Sequence, residues 1–176
     1  MHDDLVDAVG WAVEQGYADP DRVGIFGGSY GGYAALVGVT RTPGLFAAAV
    51  DYVGISDWTN FYRTLHPAVS GALRHSFHRY LGDPDDPEQV ADMLSRSPIT
   101  QVDRITDPLM IFQGANDVRV VQSESDNIVE RLRARGVEVE YRVFADEGHM
   151  FLNPENLKTM VVETGRFLAE HLGGRP

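Results

Sequence analysis

The chain contains no cysteine, which excludes disulfide bridges and a thiol nucleophile and suits a reducing compartment, so a cytoplasmic location is expected. No apolar run is long enough to span a bilayer, and the acidic opening Met1-His2-Asp3-Asp4 is not followed by the apolar core of a secretory signal. Nor is there a basic cluster. Fifteen Lys and Arg against 26 Asp and Glu leave a formal charge of −11, which argues against nucleic acid or an anionic membrane surface as a partner. What remains is a chain of 176 residues, 43% hydrophobic, able to bury roughly 70% of its unfolded surface as one domain.

Helical and strand-like segments alternate along it, which predicts an α/β fold built on a mostly parallel sheet with helices on both faces. Leu5, Val6, Val9, Ala12 and Val13 lie at helical spacing and Gly16 can close that helix. The turn Ala18-Asp19-Pro20-Asp21 leads into a strand over 22–26, and further strands are expected at Ala47 to Val53, Pro108 to Phe112 and Val139 to Phe144. A second amphipathic helix runs from Ser123 to Arg135, closed by Gly136. Asn153-Pro154 suits the start of a last helix with a stripe of Leu157, Met160, Val161, Phe167, Leu168 and Leu172. Residues 56–98 are less regular, punctuated by Pro67, Pro84, Pro87 and Pro98, and are expected to form a lid-like insertion.

The run Gly27-Gly28-Ser29-Tyr30-Gly31-Gly32-Tyr33 follows directly on the apolar stretch Val23-Gly24-Ile25-Phe26. Glycines two positions either side of a serine, between a strand and a helix, are the pattern of a nucleophile elbow, where strand and helix approach closely and the hydroxyl is lifted clear of the sheet. A serine hydroxyl needs a base, usually a histidine oriented by a carboxylate. In α/β-hydrolases the acid follows a late strand and the histidine follows the last one. Asp117, in Gln113-Gly114-Ala115-Asn116-Asp117, and His149, in Asp146-Glu147-Gly148-His149, stand in those places. Asp57, after the strand ending near Val53, is the rival acid, whereas Asp146 is too close to His149 in sequence. His66, His75 and His78 cluster near Asp83, Asp85 and Asp86 but follow no metal-ligand spacing, so no metal site is expected.

These three motifs, together with Gln113 through Val120, resemble the catalytic domain of the prolyl oligopeptidase family, nearest its acylaminoacyl-peptidase-like and dipeptidyl-peptidase-like members, over almost the whole chain. The resemblance implies a serine peptidase acting on short or N-acylated peptides through Ser29, Asp117 and His149, with the Tyr30 amide in the oxyanion hole and no cofactor. It further implies that Arg119 holds a substrate carbonyl. Trp58 and Phe61, in the stretch Ile55 to Phe61, would wall an apolar specificity pocket, with Tyr62 and Tyr80 as weaker candidates; being three apart they share a helical face, and core packing is the alternative for the pair. A carboxylesterase uses the same triad, and a chain that keeps these residues but works through association is a third reading.

Only one helix and one strand precede Ser29, so the resemblance covers the C-terminal part of an α/β-hydrolase fold, a single partial catalytic domain. Two expectations follow: a second oxyanion donor from an earlier loop is missing, and the strand Val23 to Phe26 becomes an unpaired edge through which the chain forms homo-oligomers, most simply a two-fold dimer.

Overall fold

The computed structural model describes residues 1–66, 71 and 76–175; Pro67 and His75 lie outside the described residues. Four strands, β1 (Gly24–Gly28), β2 (Ala48–Tyr52), β3 (Leu109–Gly114) and β4 (Val139–Phe144), pair in parallel in that spatial order. Parallel neighbours need a crossover, and each is helical: α2 (Tyr30–Arg41) links β1 to β2 and α5 (Ser123–Ala134) links β3 to β4. Helix α1 (His2–Glu14) precedes β1 and α6 (Pro154–Leu172) follows β4. Between β2 and β3 come α3 (Trp58–Thr64), a helical stretch at 76–80, α4 (Pro87–Ser95) and a 3₁₀ segment, Pro98–Arg104.

Strand alternation divides the sheet's side chains between two cores. Ala49, Leu109, Ile111 and Val139 meet Leu36 and Val39 of α2 and Ile128 and Leu132 of α5 on one face. Ala48, Val50, Met110, Phe112 and Phe144 meet Met160 and Phe167 of α6 on the other. Each fully buried aliphatic contributes roughly 1.5–3 kcal/mol. The ion pairs Arg142–Glu163 and Arg166–Glu140 also join β4 to α6, but they are half-exposed and contribute about 0–1 kcal/mol each. Apolar packing therefore decides where α6 lies.

The elements follow the sequence pattern closely at their ends. Asn153 caps α6 by accepting the Glu155 N–H at 3.0 Å, Gly173 closes it in the left-handed region at φ 68°, and Gly16 follows α1 at φ 72°. Strand β1 starts and ends two residues later than expected, because its ladder with β2 continues to the pair Gly28 and Tyr52. As expected, β1 is hydrogen-bonded on one side only, and Phe26, on the Val50 face, remains 53% exposed.

The described part of the insertion expected as a lid packs down on α2. Trp58, Phe61, Leu65, Leu81 and Met93 form one cluster with Tyr33, Val37, Ile55 and Val120. Of the two readings for Trp58 and Phe61, pocket wall and core, the structure shows the second: they are 1% and 3% exposed. Their shared helical face is covered by α2 and α4 rather than open to solvent.

One acid lies inside this packing. Asp51, in β2, has no exposed surface, and burial pushes its carboxyl up to about 8, with nearby Glu124 adding to the rise and the Gly54 amide opposing it. The native state then holds a proton that the unfolded chain releases near pH 4, so the contribution of Asp51 to stability is greatest below about pH 4 and is lost as pH rises towards about 8. Asp51→Asn removes this loss. Thermal melts between pH 4.5 and 8 are expected to show a flatter Tm profile for the variant than for the parent, and parallel profiles would refute the assignment.

Candidate active site

Ser29 sits at φ 58°, ψ −114°, between the end of β1 and the start of α2. Its N–H donates to the Tyr52 carbonyl at 2.8 Å, extending the β1–β2 ladder by one bond. The turn is so tight that a Cβ on Gly27 would stand 2.2 Å from the Gly31 carbonyl oxygen, and one on Gly28 would stand 2.9 Å from the Tyr52 ring. Glycine is therefore required on the strand side. Tyr30 opens α2, so its N–H has no intrahelical acceptor and stands next to Ser29.

Asp117 follows β3, its side chain buried although its neighbours Asn116, Val118 and Arg119 are exposed. Its Oδ1 accepts from the Arg119 and Val120 amides at 2.8 and 2.9 Å, which fixes the carboxylate plane. Its Oδ2 accepts from His149 Nδ1 at 2.8 Å. A carboxylate can only accept, so the imidazole carries its proton on Nδ1 and leaves Nε2 as an acceptor. Nε2 lies 2.8 Å from Ser29 Oγ and takes the hydroxyl's hydrogen bond. The structure thus brings Ser29, His149 and Asp117 into one continuous relay.

The histidine loop is held from three sides. The Tyr52 hydroxyl donates to the His149 carbonyl at 3.1 Å and accepts the Phe151 N–H at 2.9 Å, with its ring edge-on to Phe151. Buried Glu147 accepts from the Leu152 and Asn153 amides at 2.8 and 3.0 Å and from Asn156 Nδ2 at 2.9 Å. The acid loop touches the histidine loop directly: the Asn116 N–H donates to the Glu147 carbonyl at 2.8 Å, and a Cβ on Gly114 would stand 2.3 Å from the Gly148 carbonyl oxygen.

The rival acids are engaged elsewhere. Asp57 caps α3 through the Thr59 and Asn60 amides, and Asp146 accepts from the side chains of Asn153 and Asn156. Arg119 is exposed two residues beyond the acid. Tyr62 is tied to the Gly82 carbonyl at 3.2 Å, while Tyr80 is exposed and, with Tyr30, Tyr33, Phe77, Leu81 and Arg96, lines a cleft of about 300 Å³ beside the elbow. A larger cavity, about 670 Å³, opens at the opposite end of the strands around Asp107, Leu109 and Val139, away from Ser29. Among the described residues no three His, Cys, Asp or Glu gather to hold a metal, and no helix is long and apolar enough to cross a membrane. In the histidine cluster, His78 lies against the Tyr62 ring, Asp83 accepts the Asp85 amide and Asp86 caps α4.

A parallel sheet with helices on both faces and a serine elbow at its carboxyl rim defines the α/β-hydrolase fold class. Residues 1–175 match the sequence profile of the prolyl oligopeptidase family, and the chain belongs to that family. Dipeptidyl aminopeptidase BIII from Pseudoxanthomonas mexicana is 49% identical over 175 residues, covering 99% of this chain and 25% of the relative. Dipeptidyl peptidase family member 6 from Caenorhabditis elegans is 41% identical over 174 residues, covering 99% and 24%. Among solved structures, a Mycobacterium tuberculosis puromycin-hydrolyzing peptidase superposes with a TM-score of 0.88 at 29% identity, over 99% of this chain and 26% of that one. The chain thus spans about a quarter of the length of the relatives it matches.

Tyr52 and Glu147 had no signature in the sequence, and both are testable as supports of His149. Tyr52→Phe and Glu147→Gln each remove or mismatch hydrogen bonds within the loop. Each is expected to lower stability by about 1–3 kcal/mol in denaturant unfolding, with raised amide exchange confined to residues 147–153.

Proposed function

We propose that this chain carries a serine peptidase centre that cleaves short or N-acylated peptides through an acyl-enzyme on Ser29. The observation that carries this reading is the unbroken relay from Ser29 Oγ through His149 to Asp117, two hydrogen bonds of 2.8 Å each. As Ser29 Oγ attacks the scissile carbonyl, its proton passes to His149 Nε2, and the buried Asp117 carboxylate stabilises the imidazolium. The Tyr30 N–H faces the oxyanion. His149 then returns the proton to the departing amine as the C–N bond breaks. Water repeats the sequence on the acyl ester, giving the carboxylic acid and restoring the Ser29 hydroxyl.

Substrate chemistry follows from the surroundings. The cleft beside Tyr30, lined by Tyr33, Phe77, Tyr80 and Leu81, suits an apolar side chain next to the cleaved bond. The exposure of Arg119 two residues beyond the acid supports a role for it in holding a backbone carbonyl of the substrate. The relatives' names, all peptidases, support peptides over simple esters as the physiological substrates. The chemistry needs no cofactor, and the cytoplasm remains the expected compartment.

A fluorophosphonate probe is expected to label the parent at Ser29 and to leave Ser29→Ala unlabelled. Asp117→Asn should reduce turnover of a peptide anilide by about 10³–10⁴-fold, because the imidazole loses its tautomer and its counter-charge. Turnover of short-chain esters with no anilide cleavage would favour a carboxylesterase, and an unlabelled parent would overturn the catalytic reading.

The one-sided β1 edge with its exposed Phe26 also supports self-association of this chain through that strand. Light scattering after size exclusion should give a dimer that Phe26→Lys weakens; a monomer at micromolar concentration would contradict it.

A further inference from the structure

The proposed chemistry leaves one buried acid at the site unused. Asp51 pairs in register with Gly27 of β1 and Ile111 of β3, so its side chain points to the sheet face covered by α2, directly below the elbow. It is completely buried and neither carboxyl oxygen has a well-formed hydrogen bond. An unpaired buried carboxyl costs stability, so its presence in a tightly packed core calls for a compensating use.

Its position supplies one. A Cβ placed on Gly32, in the first turn of α2, would stand 2.2 Å from Asp51 Oδ1, and a Cβ on Gly54, in the loop after β2, would stand 2.2 Å from the same atom. That oxygen is therefore lodged between two backbone segments stripped of side chains to receive it. The segments also touch each other, since the Gly32 Cβ would come within 2.7 Å of Gly54 Cα.

The same two segments carry the backbone strain of the fold. Among the described residues only Ser29, at φ 58°, and Val53, at φ 49°, are non-glycine residues with positive φ. Each immediately follows one member of the register pair Gly28 and Tyr52, so the strained residues lie side by side at the carboxyl rim. Such conformations cost about 1–3 kcal/mol each and persist only where the surroundings enforce them. Val53 is the more exceptional, because a β-branched side chain disfavours this region. Glu124 secures the far end of the loop by accepting the Ser56 and Asp57 amides, the Ser56 hydroxyl and Asn60 Nδ2. Asp51 fills the near end.

We propose that Asp51 is a positioning residue for Ser29: its carboxyl keys the first turn of α2 at Gly32 to the loop at Gly54 and so holds the strained Ser29 and Val53 backbones in place. The inference rests on the reading of Ser29 as a nucleophile. Without the wedge, α2 and the loop can settle together, the turn relaxes, and Ser29 Oγ drifts from His149 Nε2. Asparagine, of the same size and shape, preserves the wedge.

The test compares Asp51→Ala, Asp51→Ser and Asp51→Asn in the full chain, by the rate of fluorophosphonate labelling at Ser29 and by hydrogen-exchange mass spectrometry. Ala and Ser are expected to slow labelling by roughly tenfold or more. They should raise exchange over residues 27–34 and 52–58 while α6 exchanges as in the parent, and Asn should restore both readouts to within a few-fold. Parental labelling and exchange in the Ala and Ser variants would overturn the inference. If the parent itself does not label, the nucleophile reading fails and exchange alone decides: a rise confined to the two segments sustains the wedge, and unchanged exchange removes it. Should the Ala variant not fold, the Ser and Asn variants carry the comparison.

Discussion

The whole site depends on one tight turn, in which Ser29 is held at φ 58° by the strand before it and the helix after it. The strain, about 1–3 kcal/mol, is offset by what the turn joins: the β1–β2 ladder on one side and a helix whose Leu36, Val37 and Val39 are buried on the other. The glycines at 27 and 28 make it sterically possible, since any side chain there would strike Gly31 or Tyr52. Because the hydroxyl is presented by backbone geometry rather than by a flexible side chain, the base and the acid need only be brought to it.

The parallel sheet brings them. With all four strands running the same way, the segments after β1, β3 and β4 emerge at one rim, and these carry Ser29, Asp117 and His149. Rim loops have no ladder of their own, so they are fixed by side chains from below and beside. Tyr52 reaches up from β2 to the His149 carbonyl and the Phe151 amide, and Glu147 gathers the amides of residues 152 and 153. The acid loop and histidine loop approach so closely at Gly114 and Gly148 that a shift in one is passed to the other.

The support beneath the site differs in kind from the rest of the interior. Away from the rim the sheet is buried by aliphatic and aromatic side chains of α2, α5 and α6. Two acids are buried beneath the rim, Glu124 against the loop after β2 and Asp51 below the elbow, both pushed up by burial, with Glu124 adding to the rise at Asp51. Glu124 is satisfied by four donors, so its burial is structurally repaid through the loop it orders. Asp51 has no such set: the Gly54 amide offsets only part of its burial, and its Oδ1 is wedged against the backbone at Gly32 and Gly54.

Much of this was legible along the chain. The periodicities located the four strands and the helices α1, α5 and α6 to within about two residues, whereas α3 and α4 fell in the stretch read only as irregular, and the order of the Gly-x-Ser-x-Gly, Gly-Ala-Asn-Asp and Asp-Glu-Gly-His segments indicated which side chains would meet. Trp58 and Phe61 could be assigned to one helical face but not to a solvent-exposed one, because spacing defines a face and says nothing about what covers it; α2 and α4 do. Tyr52, Glu147 and Asp51 carry no local pattern, being single polar residues in or after strands. By itself the sequence determined the elements, the strained serine turn and the identity of the relay, since these arise from periodicity, glycine and chemical type within a few residues. Only the tertiary structure decided which aromatics are core, what holds His149 and what lies under Ser29, because those depend on contacts between segments far apart along the chain.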